Sequence, residues 1–140
     1  ARPYYERAVV LAKKLYGPSN ISTVFAESNL SLLLRDSGDL VNAEKYARSA
    51  VANADIALAN NAFRGIMYRE LATILIREKR FAEARAELDT AWDIFSNAEG
   101  FGPQHPRSQD VVDSYIELYA AWPNPELEAE WRTRKSAGPA

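Results

Sequence analysis

The chain has one histidine, His105, which lies between two prolines in the segment FGPQHPRSQDVV. A lone imidazole can act as a general base or as a metal ligand near neutral pH. A zinc site needs further ligands, and the sequence offers no second histidine and no cysteine to supply them. Pro106 prevents a helix from continuing through His105, and Ser108 is a suitable N-cap for the helix that follows. We therefore predict that His105 belongs to a connector between helices.

Three other patterns could support chemistry. Glu126, Glu128 and Glu130 alternate in a helical segment, so their side chains point in different directions and do not form an acid–base pair. Asp36 and Asp39 flank a glycine, but a calcium loop needs several more oxygen ligands at fixed positions. The sequence contains no glycine-rich phosphate loop and no Gly-x-Ser-x-Gly turn. We predict no enzymatic activity, no cofactor and no metal site.

Composition restricts the partners. The 140 residues include 17 basic and 19 acidic side chains, and a net charge of -2 argues against broad nucleic-acid binding. The richest apolar runs, LSLLL and LATILI, are far shorter than the roughly 20 residues that cross a bilayer. We therefore predict no nucleic-acid and no membrane partner. A cytoplasmic location is a separate expectation, which the composition does not decide. Residue 1 is alanine and opens into a helical pattern, which suggests a processed or excised N-terminus.

The sequence repeats itself with a period of about 41 residues. Ala8, Ala50 and Ala91 take equivalent places in three segments that are 42 and 41 residues apart. A second series matches at one offset of 41, and its pairs are Leu30 with Leu71, Leu34 with Leu75, Leu40 with Phe81, and Ala43 with Ala84. Periods of this length are typical of solenoids, in which each repeat buries its apolar face against its neighbours.

Each repeat is predicted to contain two helices. Apolar residues recur at helical spacing, and the segment DSGD separates the two helices of the first unit. Gly38 suits a left-handed helix end and Asp39 suits an N-cap, while Ser22 or Thr23 is the expected cap of the preceding helix. Small residues at three- and four-residue spacing allow the helices to approach closely. The predicted fold is all-α, with about seven helices.

The predicted boundaries define one helical-repeat domain, residues 1–135. They comprise an unpaired helix 1–16, a repeat 22–59, a repeat 62–99, a terminal repeat 107–135, and a flexible tail 136–140. The segment PNP forces the turn inside the terminal repeat, because proline cannot continue a helix.

These repeats resemble the tetratricopeptide repeat. The resemblance lies in a leucine followed by a small residue (Leu30-Ser31 and Leu71-Ala72), then a turn, then a leucine or aromatic residue, then alanine. The longer period and the connectors YGPSN and FGPQHP resemble the kinesin-light-chain type, which often carries an lG-x-x-HP connector. The resemblance covers nearly the whole chain and departs at ANNA, residues 59–62, and at PNP. It implies a right-handed superhelix of antiparallel helix pairs that lacks catalysis and binds proteins or peptides on its concave face.

The resemblance also implies which residues line that face. Asn29 precedes Leu30 at a place where the kinesin-light-chain type often has an asparagine, which can bond both the N–H and the C=O of an extended peptide. Glu70 replaces it in the next unit. The face implied in this way consists of Phe25, Ser28, Asn29, Leu32, Arg35, Asp36, Ile66, Arg69, Glu70, Thr73, Ile76, Arg77, Val111, Ser114 and Leu118.

Two interpretations remain open for the charges on this face. Arg69 and Arg77 are eight residues apart and share a helix face, so they could capture an acidic peptide. The alternative, which is the commoner case for a run of charges, is that Glu70, Glu78 and neighbouring charges neutralise them on a solvated helix. The alternative function is a regulatory or sensing domain appended to an enzyme such as a bacterial protein kinase, because the last segment resembles the ends of repeat arrays in large bacterial proteins.

The first helix and the tryptophans raise further expectations. The segment YYERAVVLAKKLYG resembles the second helix of a pair without its first, so we expect Tyr4, Val9 and Leu11 to contact upstream residues or a second copy of the chain. Trp92 follows Ala91 and is predicted to lie in the core between repeats. The sequence leaves open whether Trp131, in the last helix, is buried or free to anchor a partner.

Overall fold

The computed structural model describes residues 1–135, and α-helices contain most of them. The helices of this part of the chain are α1 (Arg2–Tyr16), α2 (Ile21–Ser37), α3 (Leu40–Ala57), α4 (Arg64–Arg77), α5 (Phe81–Asn97), α6 (Pro106–Ala121) and α7 (Pro125–Arg134). The same residues contain no β-strand, so the all-α prediction and the helix number are confirmed. The predicted flexible tail, residues 136–140, lies outside the described residues.

The helices pack as successive antiparallel pairs. The helix α2 packs against α3, α4 against α5, and α6 against α7, while α1 packs against α2. The first helices of successive pairs also touch, α2 against α4 and α4 against α6, so they form one continuous layer. Small residues predicted to permit close helix approach, such as Ala43, Ala84 and Ala91, are completely buried.

The turn inside the first repeat has the predicted chemistry. Gly38 follows α2 with a φ of 91°, a left-handed conformation in which a side chain would be strained. Asp39 caps α3 by accepting a hydrogen bond from the backbone N–H of Asn42 at 3.3 Å.

The caps of α2 and α6 differ from the predicted ones. Asn20 caps α2 by accepting from the backbone N–H of Ser22 at 2.8 Å, and His105 caps α6 by accepting through Nδ1 from Arg107 at 3.0 Å. The assignment of Ser22 or Thr23, and of Ser108, as caps was therefore wrong. Both helices begin earlier than expected, so these hydroxyl side chains lie inside the first turn.

Thr23 and Ser108, which were predicted to be caps, have the same role in the two connectors. Thr23 donates to the carbonyl of Gly17 at 2.7 Å, and Ser108 donates to the carbonyl of Gly102 at 2.7 Å. Each hydroxyl lies three residues after its cap and donates to the carbonyl of a glycine in its connector. The connectors before α2 and α6 are thus structural equivalents, and His105 is part of that connector.

The two ends of the helix array differ in their burial. At the α7 end, Trp131 is 7% exposed, stacks on Tyr115 with a centroid distance of 3.7 Å, and meets the edge of Trp92. At the other end, Val9 is buried against α2, so the expectation that it meets upstream residues or a second copy was wrong. Tyr4 and Leu11 lie on the opposite side of α1 and are 67% and 55% exposed.

None of the helices within residues 1–135 combines the length and apolar character needed to cross a membrane.

Candidate binding face

The predicted binding residues lie on α2, α4 and α6, in the layer formed by the first helices of the pairs, which we call the inner face. Their exposure divides them into three groups. Phe25, Asn29, Asp36 and Arg77 are exposed; Leu32, Arg35, Ile66, Arg69 and Glu70 are half-buried; Ser28, Thr73, Ile76, Val111, Ser114 and Leu118 are buried. Val111 is completely buried and belongs to the hydrophobic core, so it presents no surface to a ligand.

Polar side chains of the inner face connect α2 to α4. The hydroxyl of Ser28 donates to the carboxylate of Glu70, and Arg35 donates to the hydroxyl of Thr73 at 2.8 Å. Arg77 donates to the backbone carbonyl of Arg35 at 3.1 Å. These three contacts run from the middle to the C-terminal ends of the same two helices and constrain the angle at which the first two repeats meet.

A similar contact connects α4 to α6. The guanidinium of Arg69 donates to Ser114 at 2.8 Å, and the Ser114 hydroxyl donates in turn to the carbonyl of Asp110. Arg69 is therefore held by the next repeat and is less available to a ligand than its sequence position suggested. Of the predicted pair of arginines, Arg77 is the exposed one, and it lies 3.6 Å from Asp36.

Glu70 is an acidic residue of the inner face whose pKa is shifted. Burial raises the pKa of its carboxyl, because the charged form loses hydration. The hydrogen bond from Ser28 and the positive charges of Arg69, Arg35 and Arg107 act in the opposite direction. The uncharged, protonated form of Glu70 is therefore more favoured in the folded chain than it is in water. An uncharged side chain is suited to a buried contact between helices.

Phe25 and Asn29 remain free at the α1 end of the inner face. Phe25 is 37% exposed, and the Asn29 amide forms no hydrogen bond with the residues that the structure describes. Both side chains line an open groove of about 500 Å³ between α1 and α2, together with Tyr4, Tyr5 and Ile21. The groove places an apolar surface beside an amide that can both donate and accept.

A buried acidic residue in the same region, Glu27, was not among the residues predicted from the sequence. Glu27 of α2 is completely buried; Asn53 donates to its Oε1 at 3.2 Å, and the Lys13 ammonium lies 3.6 Å from its Oε2. Glu27 thus joins α1, α2 and α3. Its position in the sequence indicates burial, because Glu27 precedes Leu30 and Leu34 by three and seven residues and therefore lies on the same buried face of α2.

The described residues contain no group of three or more side chains that could hold a metal ion. The hydrogen-bonded polar side chains of the inner face join neighbouring helices, and Asn29 is not among them.

No family model and no curated protein matches the chain. Among solved structures, the chain is similar to the crystal structure of BtubC (BKLC) from P. vanneervenii, with a TM-score of 0.82, 16% sequence identity and 95% of this chain covered. The match covers 53% of BtubC, so the chain spans about half the length of that protein. BtubC is a bacterial kinesin light chain-like protein of the tetratricopeptide type. Folds of this type generally mediate protein binding and are typically non-catalytic. The chain has the fold that its repeats predicted, that of a kinesin-light-chain-like tetratricopeptide-repeat protein.

Proposed function

We propose that this chain is a non-catalytic scaffold module that binds a protein or peptide on the inner face of α2, α4 and α6. One observation carries the proposal. Phe25 and Asn29 are exposed at a groove, whereas most of the polar side chains around them are held by hydrogen bonds between helices. A surface that is already ordered loses little conformational freedom when it binds.

Binding would combine amide pairing with apolar contact. The amide of Asn29 can donate to a carbonyl and accept from an N–H of one extended peptide segment. Phe25 and the tyrosines of the groove offer aromatic surface within reach of the same segment. Arg77 lies farther along the face and already contacts the Arg35 carbonyl and Asp36, so an acidic residue of the peptide would compete with Asp36 for its guanidinium.

The test compares capture by two double variants. We expect Phe25→Ala with Asn29→Ala to lose the proteins that the wild type captures, because both contacts at the groove are removed. The matched control is Asn60→Ala with Val41→Ala, which removes one exposed amide and one exposed apolar side chain elsewhere. Retention of the same proteins by the groove variant would refute the assignment of the face. Arg69 is a poorer choice, because its loss also removes the contact with Ser114.

The remaining sequence hypotheses stay predictions. A regulatory or sensing domain appended to an enzyme, such as a bacterial protein kinase, would use the same face. The sequence of the full-length gene tests this alternative, because a catalytic domain encoded upstream would favour it. A bacterial, cytoplasmic setting is also a prediction. Self-association through α1 is a prediction from the sequence that competes with the partner helix proposed below, and sedimentation velocity decides between the two. The proposed function includes no cofactor, metal, nucleic acid or membrane.

A further inference from the structure

The outer face of α1 is a second surface with the properties of a binding site. Among the described residues, five of the ten large apolar side chains that are exposed belong to α1. They are Tyr4, Val10, Leu11, Leu15 and Tyr16. The only described helix packed against α1 is α2, so the side of α1 that faces away from α2 has no helix covering it. Concentrations of exposed apolar surface mark interaction sites.

The outer face has an ordered pattern of three rows. Residues seven apart lie about two helical turns apart on one side of a helix. Arg7 and Lys14 form a central basic row; Pro3 and Val10 flank it on one side, and Tyr4 and Leu11 flank it on the other. All six residues are exposed. Two apolar rows along a basic row match the ridges of a second helix better than they match an extended strand.

The basic row has no internal counter-charge. The helix α1 contains four basic residues and one acidic residue, Glu6. Arg2 is paired with Glu6 at 2.6 Å and with Asp39 at 3.1 Å, and Lys13 lies 3.6 Å from Glu27. Arg7 and Lys14 form no ion pair with any residue of the described chain. A partner that brings carboxylates to this row would therefore find both cations free.

A second copy of the chain fits this face poorly. A symmetric pair brings the same surface of both copies together, so the basic rows of two α1 helices would repel each other. A head-to-tail pair that continues the helix array would bring α7 to this face, and the large apolar side chains of α7, Leu127 and Trp131, pack against the core. The exposed residues of α7 are then polar or small, so they cannot cover the apolar rows.

We propose that the outer face of α1 binds an amphipathic helix of a partner protein, whose apolar side chains cover the two flanking rows and whose carboxylates pair with Arg7 and Lys14. The charge of α1 selects the partner, and the apolar rows supply most of the contact area. This surface differs from the inner face, and the case for it does not rest on the function proposed for that face.

The test uses two designed peptide helices of about 18 residues, long enough to cover α1. One carries glutamates seven residues apart between two rows of leucine, and the other carries lysines at the same two positions. We expect fluorescence anisotropy to show binding of the glutamate peptide and at least about tenfold weaker binding of the lysine peptide. The variant Arg7→Glu with Lys14→Glu is expected to reverse this preference, because it reverses the sign of the central row.

Two further variants complete the experiment. Leu11→Asp is expected to abolish binding of the glutamate peptide, whereas Val41→Asp, at an exposed site on α3, leaves it unchanged. Both sites are exposed, so both variants retain the helical circular dichroism of the wild type. Equal binding of the two peptides, or an unreversed preference in the double variant, would overturn the proposal. So would a dimer in sedimentation velocity that Leu11→Asp dissociates, because a second copy would then occupy the face.

Discussion

Replacing His105 tests whether the connector before α6 works as the structure indicates. The ring accepts a hydrogen bond from the Arg107 N–H at 3.0 Å, and it packs on Phe101 with a centroid distance of 4.2 Å. A backbone N–H is always a donor, so Nδ1 must be the unprotonated nitrogen of the ring. The side chain thus makes two separable contributions, a helix cap and an aromatic contact.

The connector before α2 supplies the comparison. Asn20 occupies the same place and caps α2 through its side-chain oxygen, at 2.8 Å from the Ser22 nitrogen. Loss of an N-cap costs roughly 0.5–2 kcal/mol, typically about 1, and an aromatic contact contributes roughly 0.5–1.5 kcal/mol beyond burial. His105→Ala, which loses both, is expected to lower the free energy of unfolding by about 1–3 kcal/mol. His105→Asn, which keeps the cap, should lower it by only about 0.5–1.5 kcal/mol.

Urea unfolding followed by far-ultraviolet circular dichroism measures these differences, provided that the slope with urea is unchanged. The gap between His105→Ala and His105→Asn should be close to the cost of Asn20→Ala, about 1 kcal/mol, because each comparison isolates one cap. A gap within about 0.3 kcal/mol of zero, with a normal cost at Asn20→Ala, would refute the capping role of the ring.

Two further predictions concern the core and the inner face. Ala50→Leu and Ala91→Leu are each expected to destabilise the fold by about 1–3 kcal/mol, because both alanines are at most 1% exposed between helices; unchanged thermal midpoints would contradict the repeat register. Burial raises the pKa of Glu70 above its ordinary 4.5, so the folded chain holds this proton at pH values where the unfolded chain has lost it, and the associated stability falls as pH rises through that window. The difference in the free energy of unfolding between Glu70→Gln and the wild type should therefore shift in favour of the variant as the pH rises from about 4 to about 7. The same difference at both pH values would show that Glu70 is not the group responsible.

The fold was predictable because the repeats impose the same environment twice. Leu30 and Leu71 are both at most 2% exposed, and Ala43 and Ala84 are both completely buried. Only a repeating structure requires the same residue size at both members of such a pair. Periodicity and small residues therefore determined the helix pairs before any side-chain contact was known.

The caps were less predictable, although the sequence contained the relevant equivalence. YGPSN and FGPQHP place Asn20 opposite His105, and the structure gives both residues the same role. Preference for hydroxyl caps pointed instead to Ser108 and to Ser22 or Thr23. Histidine is an uncommon N-cap, so residue preference led to the wrong caps. The alignment of the two connectors, which pairs His105 with Asn20, pointed to the correct ones.

The orientation of α1 could not be derived from its sequence. Apolar residues occur on several sides of this helix, so its pattern does not say which side meets α2. Packing against α2 buries Val9 and leaves Tyr4 and Leu11 exposed. The cross-helix contacts were equally inaccessible. Whether Ser28 or Arg69 binds a ligand or a neighbouring helix depends on the angle between helices, which one sequence does not specify.

The two ends of the array have different surfaces, and this difference favours interaction at the α1 end. Trp131 closes the α7 end against Tyr115, whereas α1 exposes apolar rows on one side and the groove of Phe25 and Asn29 on the other. Tyr4 lines both of these surfaces. A ligand that contacts Tyr4 at the outer face also contacts a residue that lines the groove, so we predict that binding at the two surfaces is thermodynamically linked. Leu11 lines the outer face and not the groove, so Leu11→Asp separates the two activities where a substitution of Tyr4 would not.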